Sequence, residues 1–130
     1  MNNGFMDRKA VEQWVDRYEL CWRTPETDQL VDLFLPEATY LPSPWARPLD
    51  GLQEIAEFWE SEREGAGEEF TMSRDVVAVD GDTAVVRIFV EYGPTGAGRW
   101  RDLWVLRFAP DGRCASFEEW PFAQNQRDGH

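Results

Sequence analysis

The sequence predicts an α+β domain in which N-terminal helices pack on a curved, mainly antiparallel sheet. Two observations predict this class: apolar residues recur at helical spacing up to about residue 63, and they alternate at strand spacing after a glycine-rich break at residues 65–67. Helices followed by a meander of strands are typical of a sheet that is covered by helices on one face. The 130 residues suffice for a single domain, 1–130, with an ordered part expected from about 7 to 124.

Three helices are predicted in the first half of the chain. The first covers residues 7–23 and ends before Pro25, because a proline disfavours helical backbone in the residue that precedes it. The second is short and runs from about residue 27 to Pro36, and the third covers roughly 52–63. The first helix has one continuous apolar stripe, formed by Val11, Trp14, Val15, Tyr18, Cys21 and Trp22.

Strands are predicted on both sides of the third helix. A short strand at 38–41 and a proline-rich loop that carries Trp45 precede it. The alternating runs that follow it are joined by tight turns and cover residues 70–79, 83–92, 100–108 and 113–120.

Strand alternation divides the later side chains between two faces of the sheet. On the run 100–108 the even positions form the inward face, and these are Trp100, Asp102, Trp104, Leu106 and Phe108. In the last run Phe117 and Glu119 share one face, whereas Glu118 and Trp120 share the other. Alternation therefore directs Glu118 and Glu119 to opposite sides of the sheet, and it does not decide which of the two faces the interior.

Charge excludes two classes of partner. The sequence has 25 acidic and 13 basic residues, a formal net charge of -12, which repels nucleic acids and anionic membranes. It contains neither an apolar run of membrane-span length nor the apolar core of a signal peptide, so a cytoplasmic location is expected. Cys21 and Cys114 lie in apolar segments and are expected to be reduced core residues.

The residue types present limit the possible chemistry. The only histidine is His130, at the end of the sequence, so catalytic triads and dyads that need an imidazole base are excluded. Zinc-ligand spacings and glycine-rich phosphate-binding motifs are also missing from the sequence. An enzyme with this sequence is expected to move protons with carboxyl and phenol groups, without a cofactor or a metal.

The sequence resembles a known family over about residues 11–124. The stretches "YELCWRTPETDQLVDLFLPEATYLPSP", "LDGLQEIAEFW" and "LWVLRFAPDGRCASFEEWPF", in this order, are similar to the SnoaL-like polyketide cyclases of the nuclear transport factor 2-like superfamily. The resemblance implies a cone-shaped α+β barrel. That scaffold hosts cyclases, isomerases, dehydratases, epoxide hydrolases and non-catalytic binding modules, so it implies the fold more closely than the reaction.

The resemblance assigns one acid directly. SnoaL-like cyclases carry an acid–base carboxylate immediately before the Trp-Pro of their last strand, which matches Glu119 in "EEWP". Epoxide hydrolases of the superfamily have an acid at the same place, but their Arg-x-Asp pair is incomplete here, because Phe89 follows Arg87 by two residues.

Ketosteroid isomerases of the superfamily match only in part. Their first-helix tyrosine, part of an oxyanion hole, corresponds to Tyr18, whereas their base and their second acid fall on Pro42 and Trp104. The resemblance therefore does not imply steroid isomerisation by that mechanism.

These residues form a candidate site for acid–base chemistry. Burial among rings raises the pKa of a carboxyl, which suits Glu119 for proton transfer near neutral pH. Tyr18 is expected to donate a hydrogen bond to a substrate carbonyl, and Asp102 is expected at the mouth as a second acid or polar anchor. The rings expected around an apolar, polycyclic or aromatic ligand are Trp22, Trp45, Trp59, Trp100, Trp104 and Phe117.

Other interpretations of the same residues remain open. Glu119 is also compatible with an arginine pair or with the rim of the sheet, and Asp102 with an exposed or arginine-paired position. Tyr18 is also compatible with a core position, and Trp45 with a lid. The three functional hypotheses are a cyclase or isomerase acting next to a carbonyl, a non-catalytic binder of small molecules, and an interaction module. Apolar residues on both faces of the later strands predict a homodimer through the sheet.

Overall fold

Three helices and six strands make up the described part of the chain, which in this computed structural model comprises residues 6–24, 26–62, 69–93 and 98–125. The elements are α1 (Arg8–Arg23), α2 (Leu30–Leu33), β1 (Phe34–Leu41), β2 (Leu49–Asp50), α3 (Gly51–Glu62), β3 (Phe70–Asp80), β4 (Thr83–Tyr92), β5 (Arg99–Phe108) and β6 (Cys114–Ala123). No helix among the described residues is long and apolar enough to cross a membrane.

The six strands form one curved, open sheet in the order β2-β1-β6-β5-β4-β3. All neighbouring strands are antiparallel except β1 and β6, which run parallel. The predicted α+β class with helices on a mainly antiparallel sheet is therefore confirmed. Because β1 lies beside β6, residues 77 to 80 positions apart in sequence are neighbours in the sheet, as Tyr40 and Phe117 are.

Helix α1 covers the inner face of the sheet through its apolar stripe. Asp7 caps its first turn by accepting a hydrogen bond from the backbone N–H of Ala10 at 2.8 Å. Trp14, at the middle of the stripe, is almost wholly buried, and its Nε1 donates to the carbonyl oxygen of Leu33 at 3.0 Å. Burying that indole is favourable because its N–H has a partner.

The chain from 27 to 41 differs from the prediction. Helix α2 is a single turn, and β1 starts at Phe34 rather than residue 38. The residue before a proline prefers extended backbone, so Leu35 and its neighbour leave the helix early. Phe34, Ala38 and Tyr40 are then the buried side chains of a strand.

The later elements agree closely with the predicted ones. Helix α3 spans 51–62, and β6 continues three residues beyond the predicted end at Trp120. The inward face predicted for β5 is also confirmed: four of its members are buried, and Trp100 is half-buried. The thiols of Cys21 and Cys114 lie in the core.

Candidate functional site

A pocket of about 230 Å³ opens between the helices and the inner face of the sheet. Its walls are formed by the helices α1 and α3 and by the strands β1, β3, β4, β5 and β6, together with Pro42, which follows β1. The lining residues are Tyr18, Trp22, Tyr40, Pro42, Phe58, Glu62, Phe70, Met72, Ile88, Val90, Tyr92, Trp100, Asp102, Trp104, Glu119 and Pro121. This volume exceeds the roughly 150 Å³ of a cavity that holds benzene and is below the 300–1,000 Å³ of common ligand pockets. Among the apolar, polycyclic or aromatic ligands that we expected, it suits one ring with a short substituent better than a polycyclic compound.

Two carboxyl groups meet at the polar end of this pocket. Glu119 of β6 lies opposite Trp104 of β5, and Asp102 lies two residues before Trp104 on the same face. The side chains of Asp102 and Glu119 are hydrogen-bonded to each other. Two adjacent carboxyl groups resist double ionisation, so the pair holds one proton over a wide range of pH.

The surroundings of the pair decide which carboxyl keeps that proton. Glu119 is half-buried because one side of it faces the pocket, yet the surrounding atoms desolvate its carboxyl group. This burial, together with the hydrogen bond and negative charge of Asp102, raises the pKa of Glu119 well above its ordinary value. Trp104 lowers it in part, since its Nε1 donates to Glu119 Oε2 at 3.1 Å.

Asp102 is the ionised partner in this arrangement. Burial raises its pKa, but the hydrogen bonds from Glu119 and from the backbone N–H of Phe122 act in the opposite direction. The side chain of Glu119 is therefore the donor and that of Asp102 the acceptor. Asp102 is only 9% exposed, and among the described residues its Oδ1 has no hydrogen-bond partner. We expected Asp102 at the mouth, but it lies within the wall.

Two tyrosine hydroxyls adjoin the acid pair. Tyr18 Oη and Tyr40 Oη are 3.3 Å apart, and Phe117 lies parallel to both rings, with centroids 4.3 Å from Tyr40 and 5.7 Å from Tyr18. Burial, followed by the charges of nearby groups, raises the pKa of Tyr18, and burial followed by the charge of Glu119 raises that of Tyr40. Both phenols consequently remain protonated hydrogen-bond donors.

Tyr40 was not among the residues expected in the site. It alternates with Ala38 on β1, which was a usable signal for an inward side chain. Its position beside Tyr18 depends on the parallel pairing of β1 with β6, and the local sequence does not indicate that pairing.

The structure brings together Tyr18, Asp102 and Glu119, the three candidate acid–base groups, around one pocket. Neither carboxyl is within ion-pair distance of an arginine or lysine in the part of the chain that the structure describes. The geometry therefore does not support the alternative in which Glu119 and Asp102 pair with arginines.

The six rings expected around the ligand divide into three groups. Trp22, Trp100 and Trp104 line the pocket. Trp59 and Phe117 are fully buried behind the lining, where Trp59 packs against the rings of Tyr18 and Trp22. The expectation for Trp45 was wrong: its side chain is 99% exposed and lies outside the pocket, because the loop between β1 and β2 leaves it in solvent.

The charges of the lining have one sign. Three acidic residues, Glu62, Asp102 and Glu119, line the pocket, and its described lining contains no basic residue. Within the described ranges, no group of three or more histidine, cysteine, aspartate or glutamate residues is placed to hold a metal ion.

Comparison with known proteins identifies the family. The model of the SnoaL-like domain matches residues 11–117, which is most of the chain. The chain belongs to the SnoaL-like family. A comparison with curated protein sequences finds no match.

Solved structures similar to this SnoaL-like protein include several enzymes of the same fold. The epoxide hydrolase/cyclase-like enzyme SalBIII, described in pyran ring formation in the polyether salinomycin, has a TM-score of 0.70 and 18% identity, with 89% of this chain and 93% of that chain covered. A steroid delta-isomerase from Pseudomonas aeruginosa has a TM-score of 0.63 and 17% identity, with 92% and 83% covered.

A nuclear transport factor 2-like protein of unknown function from Mesorhizobium loti has a TM-score of 0.64 and 20% identity, with 91% of this chain and 96% of that chain covered. At these identities the likenesses show that the fold is common to all three. A shared fold does not identify the reaction, which depends on the residues of the site.

Proposed function

We propose that this SnoaL-like protein is a cofactor-independent enzyme that performs acid–base chemistry next to a carbonyl group, leading to ring closure or isomerisation of a small apolar or aromatic substrate. The observation that supports this most directly is the hydrogen-bonded pair of Asp102 and Glu119 at the end of a ring-lined pocket. A carboxyl pair that holds one proton offers an acid and a base at neutral pH.

The pair suggests how a proton would be removed from the substrate. Glu119 accepts the proton from the carbon next to the carbonyl while its own proton passes along the hydrogen bond to Asp102. The electrons of the broken C–H bond move to the carbonyl oxygen, where the enolate oxygen accepts a hydrogen bond from Tyr18. Tyr40, 3.3 Å from Tyr18, holds that hydroxyl in position. Return of the proton to another atom isomerises the substrate. Alternatively, attack of the enolate carbon on a second carbonyl closes a ring, and the alkoxide that forms on the second carbonyl oxygen takes up the proton held by the acid pair.

Hydrogen–deuterium exchange tests this step without knowledge of the natural substrate. A panel of small aryl ketones is incubated with the protein in D2O, and deuterium at the carbon next to the carbonyl is measured by NMR. The wild-type protein should accelerate the exchange, and Glu119→Gln should reduce the rate by about 100-fold, since general acid–base groups contribute roughly 10²–10⁴-fold. Tyr18→Phe should reduce it by a similar factor through loss of one oxyanion donor.

Glu118→Gln is the matched control. Glu118 is the adjacent acid on the opposite face of β6 and accepts a hydrogen bond from Trp120 Nε1, so its removal should leave the exchange rate unchanged. The proposal is wrong if Glu119→Gln, folded and ligand-binding, exchanges as fast as the wild-type protein.

A non-catalytic binder of small molecules is the second candidate. The half-closed, ring-lined pocket supports it equally, because such a wall binds an apolar ligand whether or not a reaction follows. This alternative predicts calorimetric binding of members of the same ketone panel with no acceleration of exchange by the wild-type protein.

A further inference from the structure

The acids of the pocket lack the arginine partners that some acids of the surface have. Arg74 Nε is 3.0 Å from Asp16 Oδ1, for example, and Arg87 Nη1 is 3.1 Å from Asp75 Oδ2. Asp102 has no such partner within the described residues, although it is nine-tenths buried and its Oδ1 lacks a hydrogen bond. A buried carboxylate without a cationic partner is costly, so a ligand that supplied positive charge would relieve that cost.

The remainder of the wall also favours a cation over an anion. Aromatic faces carry negative potential and attract ammonium groups. The aromatic side chains of the lining, besides the two tyrosines of the hydroxyl pair, are Trp22, Phe58, Phe70, Tyr92, Trp100 and Trp104. Arg23 stacks on the ring of Phe70 at 3.8 Å, but it is ion-paired with Glu19 and is not part of the lining.

Glu62 adds an acid to the α3 side of the pocket, so no wall among the described residues offers an anion a charged partner. An anionic ligand would lose its hydration and meet the negative charge of the acid pair. A neutral ligand would leave Asp102 uncompensated, and only a cation gains from both the carboxyls and the rings.

We propose that the pocket takes a small ring compound bearing a protonated amine, with the ammonium group against the Asp102–Glu119 pair. This inference rests on the proposed function of the same site and names its substrate class, a compact aromatic or alicyclic amine that also carries a carbonyl group. The volume of about 230 Å³ accommodates one ring with short substituents.

A matched series of ligands tests the inference by varying charge at nearly constant shape. Isothermal titration calorimetry at pH 7 compares 4-ethylbenzylamine, 4-ethylbenzyl alcohol and 4-ethylbenzoate. The amine should bind at least about tenfold more tightly than the alcohol, and the benzoate should not bind measurably. Asp102→Asn should reduce the amine to the affinity of the alcohol and leave the alcohol unchanged, whereas Glu118→Gln should retain the preference.

Three results would overturn the inference: equal or tighter binding of the alcohol, binding of the benzoate, or no binding of any of the three at millimolar concentration. If Asp102→Asn does not fold, the ligand series on the wild-type protein decides alone. Glu119-dependent exchange of neutral ketones without an amine preference overturns this inference and leaves the proposed function intact. An amine preference without any exchange overturns the proposed function and retains the ligand class.

Discussion

The carboxyl groups of Glu119 and Asp102 are hydrogen-bonded to each other across the strands β6 and β5. Neither acid has a cation beside it in the described ranges, so the proton that they share is what allows both to remain in the wall of the pocket. The arrangement makes the stability of the fold and the proposed proton transfer depend on the same group.

The variant Glu119→Gln should gain stability relative to the wild-type protein as pH rises. The pKa of Glu119 is raised in the folded state, so above about pH 4.5 the folded protein binds more protons here than the unfolded chain does. The contribution of Glu119 to stability is therefore present at low pH and is lost as pH rises through its folded pKa. Glutamine does not titrate and its amide can still donate to Asp102. Urea denaturation from pH 4 to pH 8 measures the difference in the free energy of unfolding.

Glu118→Gln is the control for that series. Glu118 lies on the outer face, so its replacement removes a neighbouring acid without changing the pocket, and the pH dependence that we attribute to Glu119 should persist in Glu118→Gln. A difference between Glu119→Gln and the wild-type protein that stays constant from pH 4 to pH 8 would mean that Glu119 titrates like a solvated glutamate.

Trp104→Phe should raise the pKa of Glu119 further and destabilise the fold. The substitution removes the Nε1 donor that lies 3.1 Å from Glu119 Oε2, and it leaves a small cavity at a side chain that is almost wholly buried. We expect a loss of about 2 kcal/mol from the hydrogen bond and the lost packing. The pKa is followed by NMR of the carboxyl carbon of Glu119, and stability by denaturation.

Trp100→Phe provides the comparison within the same strand. Trp100 also lines the pocket but is half-buried and pairs with Ala123 rather than Glu119. Its replacement should leave the pKa of Glu119 near the wild-type value. An equal shift in both variants would trace the effect to general loss of aromatic lining rather than to the indole N–H.

Strand alternation predicted which side chains of β5 and of β6 share a face. The period of two is a property of the extended backbone, so Asp102 and Trp104 could be assigned to one face of β5, and Phe117 and Glu119 to one face of β6, without knowledge of the tertiary structure. The family resemblance, and not alternation, indicated that Glu119 faces the interior. Contact between Asp102 and Glu119 depends in addition on the register of β5 against β6, which alternation does not fix.

The omission of Tyr40 and the wrong assignment of Trp45 also have physical causes that lie in long-range structure. Tyr40 was missed because β1 joins β6 across a long interval of sequence. Trp45 was misassigned because the path of a proline-rich loop follows from the elements that it connects, and a ring in such a loop carries no signal of its own exposure. Local patterns predicted the faces, and long-range pairing determined the neighbours.

The outer face of the sheet is expected to form a homodimer. Trp120 and Phe122 project from β6 on this face and are 39% and 47% exposed, beside Leu103 and Arg101 of β5. Exposed rings among apolar and arginine side chains are typical of protein interfaces, because they bury large area when a partner covers them. Trp120→Lys should convert the dimer to a monomer, as measured by light scattering after size-exclusion chromatography.

Trp45→Lys is the matched control, since Trp45 is more exposed than Trp120 but belongs to the loop between β1 and β2 rather than to β5 or β6. If general surface hydrophobicity caused association, the more exposed tryptophan would matter more; if the sheet face causes it, only Trp120→Lys has an effect. A wild-type protein that stays monomeric at high concentration, or a dimer that only Trp45→Lys disrupts, would contradict the assignment. Ligand binding by monomeric Trp120→Lys should remain unchanged, because the pocket lies on the opposite face of the sheet.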